Sequence, residues 1–367
     1  MSDGAATNTF RKPHEQLALW TTRWSNGVVN SFSGAMAGVA SGIVTCPLDV
    51  IKTKLQAQGA FVSSEVLASG KKPALLYHGM LGTARTILRD DGFRGFYRGL
   101  GPMLLGYLPT WAVYMAVYDG SREWFYKHGY DNSDRNKFLA RVYASITAGA
   151  CSTVATNPIW VIKTRLMSQA SRTASGEGRT PWHYDSTLDA ARKMWQAEGV
   201  RAFYSGLAPA LLGLTHVAIQ FPLYEYFKQK FTGLEMGETP ADATSAGINT
   251  VGILAATFLS KITATSATYP HEVLRTRLQT QQRIHDTRTS ARNASGQQPS
   301  TFKPHYTGVI NTFRIILKEE GWRAFYNGMG TNMFRAVPAA MTTMLAFESL
   351  KSAIGGLQEQ GRALKEA

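Results

Sequence analysis

The sequence has 367 residues and a formal net charge of +14 at pH 7, which indicates an anionic partner such as nucleic acid, an anionic membrane surface or a charged small molecule. Its only two cysteines, Cys46 and Cys151, exclude a disulfide framework and a four-cysteine metal site. Both are therefore expected to be small packing residues.

The N-terminal segment, 1–26, predicts a tail. It lacks the apolar run of a secretory signal, and its acidic residues Asp3 and Glu15 are unfavourable for a cleavable mitochondrial presequence. If the protein enters an organelle, internal segments are expected to direct it.

Four long stretches without any Asp, Glu, Lys or Arg follow: 24–48, 99–118, 142–162 and 202–224. Two more, at about 248–280 and 328–353, are interrupted by Lys261, which faces either a cavity or an interface, and by Arg335. Each is long enough for the ~20 residues that an α-helix needs to cross the ~30 Å hydrocarbon layer. Their many small residues favour helices packed closely around a polar interior. Buried helices of a large soluble α-protein are the alternative.

One unit occurs three times in the chain. Its copies begin with "CPLDVIKTKLQAQ", "NPIWVIKTRLMSQ" and "YPHEVLRTRLQTQ", whose prolines, Pro47, Pro158 and Pro270, lie 111 and 112 residues apart. Each copy continues with a polar loop, a tyrosine, an amphipathic helix ending in an acid–glycine pair, and a second apolar helix that closes with aromatic–acid–x–x–base. One unit therefore predicts two membrane helices joined by a loop with a surface helix, and three units predict six spans.

The proline motifs predict a ring of charges. Each proline bends its helix just before an acid and a base that share one helical face. Threefold repetition would bring these side chains to one level, where each acid pairs with a base of another repeat. This proline-motif ring comprises Asp49, Lys52, Trp160, Lys163, Glu272 and Arg275. Asp49 is expected to pair with Lys163 and Glu272 with Lys52, while Gln56 and Gln279 brace the pairs.

The second helices predict another ring at the opposite end. This even-helix ring comprises Asp119, Arg122, Glu225, Lys228, Glu348 and Lys351. The expected pairs are Asp119 with Lys228, Glu225 with Lys351 and Glu348 with Arg122. An isolated charge at mid-bilayer costs about 2.5–3.5 kcal/mol, so pairing or water is required. Ordinary interfacial charges are the alternative for both rings.

The middle proline motif departs from the other two. Trp160 stands where an acid would pair with Arg275, and Met167 stands where the other copies have a glutamine. The proline-motif ring is therefore expected to have two ion pairs, with the indole face near Arg275. A gate with fewer pairs predicts a lower barrier to opening. A packing substitution without kinetic consequence is the alternative.

These repeats strongly resemble the mitochondrial carrier family over nearly the whole chain. The resemblance implies an all-α membrane protein: six tilted transmembrane helices in three pseudo-symmetric repeats, each of two helices plus a short amphipathic matrix helix, around a central cavity. The repeats would be 27–127, 135–233 and 247–354, with tails 1–26 and 355–367. In this family the proline-motif ring is the matrix gate and the even-helix ring the cytoplasmic gate of an alternating-access transporter.

The resemblance also implies location and partners. It places the protein in the mitochondrial inner membrane, with both termini on the intermembrane-space side, as a monomer in contact with membrane lipid that includes cardiolipin. The "PIW" of the second repeat resembles the branch that moves nucleotides and dinucleotide cofactors. "GYLPTWAVYMAVYD" and "YPHEVLRTRLQ" resemble the NAD carriers of that branch. We therefore expect import of NAD+ in exchange for adenine or related nucleotides. A pyrimidine nucleotide carrier, or an FAD or folate carrier, is the alternative within the branch.

Residues three to four turns from the even-helix motifs are expected to bind the substrate. Arg335 suits a phosphate, and Trp111 offers a face on which a base can stack. Small residues would leave room for a flat base, and His216 and Gln220 would read its edge. The predicted set is completed by Gly106, Thr110, Gly213 and Leu214. Packing roles are the alternative for the histidine and the tryptophan.

Other functional classes fit the sequence poorly. "RGLGPMLLG" does not match the G-x-G-x-x-G spacing of a dinucleotide-binding enzyme, and "PHEVLR" lacks the second histidine of a zinc hydrolase. No enzyme, cofactor or metal is expected. The bases follow the repeated helices instead of forming one patch, which argues against nucleic-acid binding. A membrane protein that binds nucleotides without transporting them, or a scaffold, is the alternative from another class.

Overall fold

The computed structural model describes residues 13–58, 77, 79–130, 132–169, 183–233, 246–281, 306 and 308–366. The described residues form α-helices and short 3₁₀ or π turns, and there is no β-strand among them. The predicted all-α class is therefore confirmed.

The helices follow the same order three times. A long helix with an internal proline leads to a short amphipathic helix, a 3₁₀ turn and a second long helix, which is split in the second repeat. In chain order the helices are α1 Pro13–Thr21, α2 Asn26–Ala57, α3 Gly79–Asp91, α4 Leu100–Phe125, α5 Asp134–Ser168, α6 Thr187–Glu198, α7 Leu207–Leu212, α8 Thr215–Thr232, α9 Ala246–Thr280, α10 Val309–Glu319 and α11 Met329–Glu366.

Among the described residues, four helical segments are long and apolar enough, by length and composition, to cross a membrane. They are Gly27–Ala57, Phe93–Tyr130, Arg135–Ser168 and Val251–Thr280. Their surfaces carry large apolar side chains, and Leu105, Leu108, Val251 and Phe258 are each more than 60% exposed. Large apolar side chains exposed in this number are unfavourable in water and suit lipid. Two more spans are expected. One corresponds to α11, and the other corresponds to α7 and α8, which are separated by Gly213 and Leu214.

Prolines lie inside both classes of long helix. The sequence motifs pointed to Pro47, Pro158 and Pro270, which all lie within α2, α5 and α9. The second long helices also contain a proline beyond their first turns, at Pro109, Pro222 and Pro338, which the sequence motifs did not include. An internal proline removes one helix hydrogen bond and bends the axis.

The described chain divides into two compact units. The first contains the residues up to Thr45 and those from Arg335 onward. In it, α1 packs against the end of α11: Ala18 is fully buried, and a Cβ at Gly361 would collide with the Ala18 carbonyl oxygen. The Gln358 side-chain amide donates to the carbonyl oxygens of Thr21, at 2.9 Å, and Trp24, at 3.2 Å. Residues 355–366 are thus packed helix, where the sequence suggested a tail.

The second unit runs from Cys46 to Phe334 and contains one apolar cluster per repeat. In each cluster, the end of the proline-containing helix packs on the short amphipathic helix and on the preceding tyrosine. Cys46 lies in the first cluster, whereas Cys151 is exposed. The tyrosines and buried amphipathic-helix residues of the three clusters are Tyr77 and Ile87, Tyr184 and Met194, and Tyr306 and Ile316.

Candidate functional site

Glycines bring the three proline motifs together. Gly99, Gly206 and Gly328 directly precede α4, α7 and α11, and each has a positive φ, between 72° and 82°. A Cβ on these glycines would lie 3.2, 3.0 and 3.3 Å from the backbone carbonyl oxygens of Lys163, Arg275 and Lys52, respectively. Each repeat therefore contacts the proline-motif base of another repeat, and the third contact returns to the first repeat. This cyclic arrangement assembles the proline-motif ring.

The ring contains two ion pairs between repeats. Lys52 pairs with Glu272, and the Lys163 Nζ lies 3.7 Å from the Asp49 carboxylate. Both pairs join the residues that the motifs matched to each other. All four side chains are at most 30% exposed, so water screens these pairs less than it would at an open surface.

The two predicted bracing glutamines also join repeats. The Gln56 amide nitrogen donates to the Tyr269 hydroxyl at 2.9 Å, and its amide oxygen accepts from the Thr276 hydroxyl at 2.9 Å. The Gln279 amide oxygen accepts from the Thr164 hydroxyl at 2.8 Å. These contacts lie one turn beyond the charged residues, and they add neutral hydrogen bonds to the charged contacts.

Trp160 packs between α5 and α4. Its indole N–H lies 3.3 Å from the Thr110 hydroxyl and 3.2 Å from the Thr156 hydroxyl, and its ring meets Tyr107 edge-on. The cation over the indole is Lys163, with Nζ 4.9 Å from the ring centroid. The expectation that the indole face lies near Arg275 is therefore corrected. The side chain turns instead toward the base of its own repeat, one helical turn away.

Arg275 is the third base of the ring. Among the described residues, no carboxylate forms an ion pair with it and no side chain hydrogen-bonds its guanidinium. The acid that acts on it electrostatically is Glu272, one turn earlier on α9, and Glu272 makes its ion pair with Lys52. The absence of an acid at position 160 thus leaves this base without a dedicated partner in the described chain.

A second set of bases, two residues after the ring bases, was missed by the sequence analysis. Arg165 is fully buried and forms a two-pronged ion pair with Glu198, while Arg277 makes the same contact with Glu320 through two 2.8 Å hydrogen bonds. The signal was present in the thrice-repeated base–Thr–base patterns "KTK", "KTR" and "RTR" and in the acid–glycine pairs. These pairs attach the amphipathic helices of the second and third repeats to the long helices of the same repeats.

The same bases contact the tyrosines and the neighbouring repeat. Arg165 lies 3.4 Å from the Tyr184 hydroxyl, and it also donates to the carbonyl oxygens of Gln279, at 2.9 Å, and Gln281, at 3.0 Å. Burial raises the pKa of Tyr184 and of Tyr306, so both hydroxyls keep their protons at neutral pH. Arg165 therefore stabilises the end of α9 through backbone acceptors, at the boundary where Trp160 provides no acid.

The first repeat uses a different arrangement. Lys54 replaces the arginine, and its Nζ donates to the Gln169 carbonyl oxygen at 2.6 Å and lies 3.3 Å from the Tyr77 hydroxyl. The acid of this repeat, Asp91, pairs instead with Arg98 at 2.7 Å. A lysine cannot donate the two parallel hydrogen bonds that an arginine forms with a carboxylate. This difference explains why Asp91 pairs with Arg98 and not with Lys54.

Two of the predicted substrate residues on α4 take part in helix packing. Thr110 accepts from Trp160 and donates to the Gly106 carbonyl oxygen at 2.6 Å. A Cβ at Gly106 would lie 3.3 Å from the Ile159 side chain and 3.5 Å from the Trp160 ring. Trp111, by contrast, is 57% exposed and meets Tyr114 edge-on. Of these three residues, the indole of Trp111 has the most free surface.

The predicted residues of the fourth span lie around the break between α7 and α8. The space beside Gly213 is occupied in this structure by His271, whose Nε2 would be 2.6 Å from a Cβ there. Leu214 packs on Gly149. The His216 Nδ1 lies 3.1 Å from the Thr268 hydroxyl, while Gln220 is partly exposed.

Arg335 and the even-helix ring complete the predicted set. Arg335 lies on α11 in the first unit and is partly buried. Asp119 pairs with Arg122, at 3.3 Å, and Glu225 with Lys228, at 2.8 Å, each within one helix. The predicted pair of Asp119 with Lys228 is not formed in the described chain. Glu348 and Lys351 lie on α11, where the Lys351 Nζ is 5.9 Å from the Phe347 ring centroid.

The sequence matches a known protein family over its three repeats. A family profile described as "Mitochondrial carrier protein" matches residues 23–129, 134–235 and 247–357. The chain belongs to the mitochondrial carrier family. Its three matched segments coincide with the three helix sets described above, and members of this family are transporters and not enzymes.

Several curated relatives cover most of this carrier. The "Mitochondrial nicotinamide adenine dinucleotide transporter 1" of Saccharomyces cerevisiae is 41% identical over 89% of this chain and 78% of its own length. The "Nicotinamide adenine dinucleotide transporter 1, chloroplastic" of Arabidopsis thaliana is 36% identical, over 88% and 91%. "Solute carrier family 25 member 36-A" of Danio rerio is 32% identical, over 90% and 98%.

Proposed function

We propose that this carrier imports NAD+ across the mitochondrial inner membrane in exchange for adenine or related nucleotides. The observation that carries the proposal is its 41% identity, over 89% of the chain, to a yeast protein named as a mitochondrial NAD transporter. The net charge of +14 supports an anionic substrate, since a positive field raises the local concentration of anions. Because one plant relative is named as chloroplastic, the membrane in which this carrier resides is also part of the proposal.

The proposed mechanism is alternating access between the two charged rings. In this structure the proline-motif ring contains pairs between repeats, whereas Asp119 and Glu225 of the even-helix ring pair within their own helices. This combination supports a state closed at the proline-motif ring. We assign that ring to the matrix side, with six spans and both termini in the intermembrane space. The working unit is proposed to be a monomer in contact with inner-membrane lipid, including cardiolipin.

Two side chains are proposed to hold the substrate. The Arg335 guanidinium suits the pyrophosphate, because its planar fork donates two parallel hydrogen bonds to phosphate oxygens. The exposed Trp111 indole suits a base, and stacking on an aromatic ring contributes about 1–3 kcal/mol per base. Loss of the charged contact is therefore expected to cost more than loss of the stacking face.

Purified protein in liposomes tests the proposal. Vesicles loaded with unlabelled NAD+ would be offered labelled NAD+, UTP, FAD and folate, and the wild type is expected to take up NAD+. Arg335→Ala should abolish this uptake and Trp111→Ala should weaken it or broaden selectivity, with thermal unfolding as the control for folding. UTP uptake without NAD+ uptake would favour a pyrimidine nucleotide carrier. Binding without uptake of any of these compounds would indicate a protein that does not transport.

A further inference from the structure

We propose that Arg275 binds a phosphate group of the substrate and that Trp160, by replacing an acid, leaves Arg275 available for it. The inference rests on the proposed transport of a nucleotide. In this view the substrate phosphate takes the place of the missing acid of the second repeat. While substrate is bound, its phosphate gives the proline-motif ring a third charged contact, which is with Arg275 on α9.

The charges of the ring carry the first step. It contains three bases, Lys52, Lys163 and Arg275, but only two acids, Asp49 and Glu272, which leaves it with one positive charge in excess. Lys52 has Glu272 and also the Asn332 side-chain oxygen, at 2.9 Å. Lys163 has Asp49 and the face of Trp160. The excess charge is therefore located at Arg275, and a charge away from bulk water requires a counter-charge or access to water.

The side chain of Arg275 lies in a crowded part of the protein but keeps some exposed surface. None of the described residues hydrogen-bonds its guanidinium nitrogens. Its backbone and side-chain stem are held by Gly206, where a Cβ would lie 3.0 Å from the Arg275 carbonyl oxygen and 3.6 Å from its Cγ. Because the stem of the Arg275 side chain is held in place, less conformational entropy is lost when its guanidinium donates hydrogen bonds to an anion.

Polar groups continue along α9 from Arg275. His271, one turn earlier, fills the space beside Gly213, and Thr268, almost one further turn away, faces His216. The Thr268 hydroxyl donates to the Ala264 carbonyl oxygen at 2.8 Å, so it accepts from His216 Nδ1–H, which leaves Nε2 of a neutral His216 as an acceptor.

This strip of polar side chains, Arg275, His271 and Thr268, borders Gly213–Leu214, between α7 and α8. Both residues keep helical dihedral angles, and the backbone hydrogen bonds change there from i→i−4 to i→i−3. The strip thus places a cation for phosphate within two turns of a hydrogen-bond acceptor that suits an amino group of a base. Glu272 and His271 are the other ionisable groups that act on this strip from α9.

A binding assay without transport tests the inference directly. Thermal unfolding of the purified protein would be followed with inorganic pyrophosphate and with ATP, because a ligand of the folded state raises the melting temperature. The wild type should be stabilised, and Arg275→Gln should bind about tenfold more weakly. Arg275→Lys should recover part of the loss. Lys318→Gln removes the same charge from the exposed face of α10 and should bind as the wild type does.

Substitutions of Trp160 provide a second test of the inference. Trp160→Asp would give Arg275 an acidic partner and weaken pyrophosphate binding, whereas Trp160→Asn removes the indole without adding a charge. The difference between Asp and Asn therefore reports the charge alone. Equal stabilisation of the wild type, Arg275→Gln and Trp160→Asp by pyrophosphate would overturn the inference, as would no stabilisation of the wild type.

Transport then separates this inference from the proposed function. AMP, ADP and ATP would compete with labelled NAD+ in liposomes, and wild-type affinity should increase with the number of phosphates. In the Arg275→Gln variant, affinity should rise less steeply with the number of phosphates. If the wild type transports NAD+ and the variant keeps the full increase, the inference fails and the proposed function stands. If the wild type binds pyrophosphate through Arg275 but takes up no NAD+, the proposed function fails and the phosphate site stands.

Discussion

Asp49 and Lys163 show how one ion pair joins two repeats in the proline-motif ring. Their charged atoms are 3.7 Å apart, and their side chains are 10% and 17% exposed. A reversed charge at either position would place two like charges next to each other in a site from which water is partly excluded. In the proposed mechanism such contacts break in each transport cycle, so the pair would have to be strong enough to close the gate and weak enough to open it.

Charge reversal tests this pair. Asp49→Lys should abolish most transport, because it places a second cation beside Lys163, and Lys163→Asp should do the same by placing an acid beside Asp49. The double variant restores opposite charges and should recover part of the rate. Uptake by liposomes is the measurement, with equal insertion of all three variants as the control. A double variant no faster than either single one would show that the two residues do not act as a pair.

The buried Arg165–Glu198 pair predicts a large effect on stability. Both side chains are almost completely buried, so Glu198→Gln would leave the arginine charge uncompensated and should destabilise the protein by about 3–5 kcal/mol. Tyr184→Phe is the matched control, since it removes only a 3.4 Å contact to the same guanidinium and should cost about 1 kcal/mol or less. Thermal unfolding in detergent measures both, and similar losses for the two variants would contradict the ranking.

At the scale of elements, α1 and the end of α11 form a packed pair of terminal helices. Gly361 allows the close approach, and the Gln358 amide donates to the carbonyl oxygens of Thr21, the last residue of α1, and of Trp24, just beyond it. Lys365 adds a hydrogen bond to the Thr22 hydroxyl at 2.8 Å. The described residues 13–21 and 355–366 are therefore part of the folded structure, and we expect truncation at residue 355 to release α1.

A substitution at Gly361 tests this contact. Gly361→Leu should separate α1 from α11, because its side chain has no space beside the Ala18 backbone, and overpacking of this kind costs about 1–3 kcal/mol. Amide hydrogens of residues 13–21 should then exchange faster in hydrogen-exchange measurements. Gly355→Leu is the control, since a Cβ at Gly355 meets nothing within 4 Å. Unchanged exchange in Gly361→Leu would contradict the packing.

At the scale of the whole molecule, the proposed mechanism requires the two charged rings to alternate. The structure has pairs between repeats at the proline-motif ring, whereas Asp119 and Glu225 of the even-helix ring pair within their own helices. In that mechanism these side chains exchange partners when the helices move. The arrangement therefore predicts that Asp119 approaches Lys228 only in the alternative state.

Cross-linking tests this change of state. Cysteines at positions 119 and 228, in a Cys151→Ser background that removes the exposed native thiol, should cross-link slowly without substrate and faster when substrate drives the cycle. Cys46 would be replaced by alanine as well, because it lies one turn before position 49 on α2 and interacts with position 163. Cysteines at positions 49 and 163 should show the opposite dependence. The same cross-linking rate with and without substrate at both rings would argue against alternation between them.

Much of this carrier follows from the sequence alone. The repeat length, the internal prolines and the alternation of charge-free stretches with charged motifs predict the helices, since these are local or periodic properties of the chain. Recurrence at fixed intervals also predicts that Asp49 meets Lys163 and that Lys52 meets Glu272, because repeats of one fold place equivalent residues at equivalent positions.

Other features depend on tertiary structure. The sequence placed the Trp160 indole near Arg275, but the rotamer and the packing against α4 turn it toward Lys163. Gly213 was expected to leave room for a substrate, yet a side chain from another helix, His271, fills that space. Residues 355–366 looked like a tail because their composition is polar, and only the contact with α1 shows otherwise. Periodicity determines which residues share a face of a helix, whereas the neighbour that occupies the space opposite depends on distances between segments far apart in the chain.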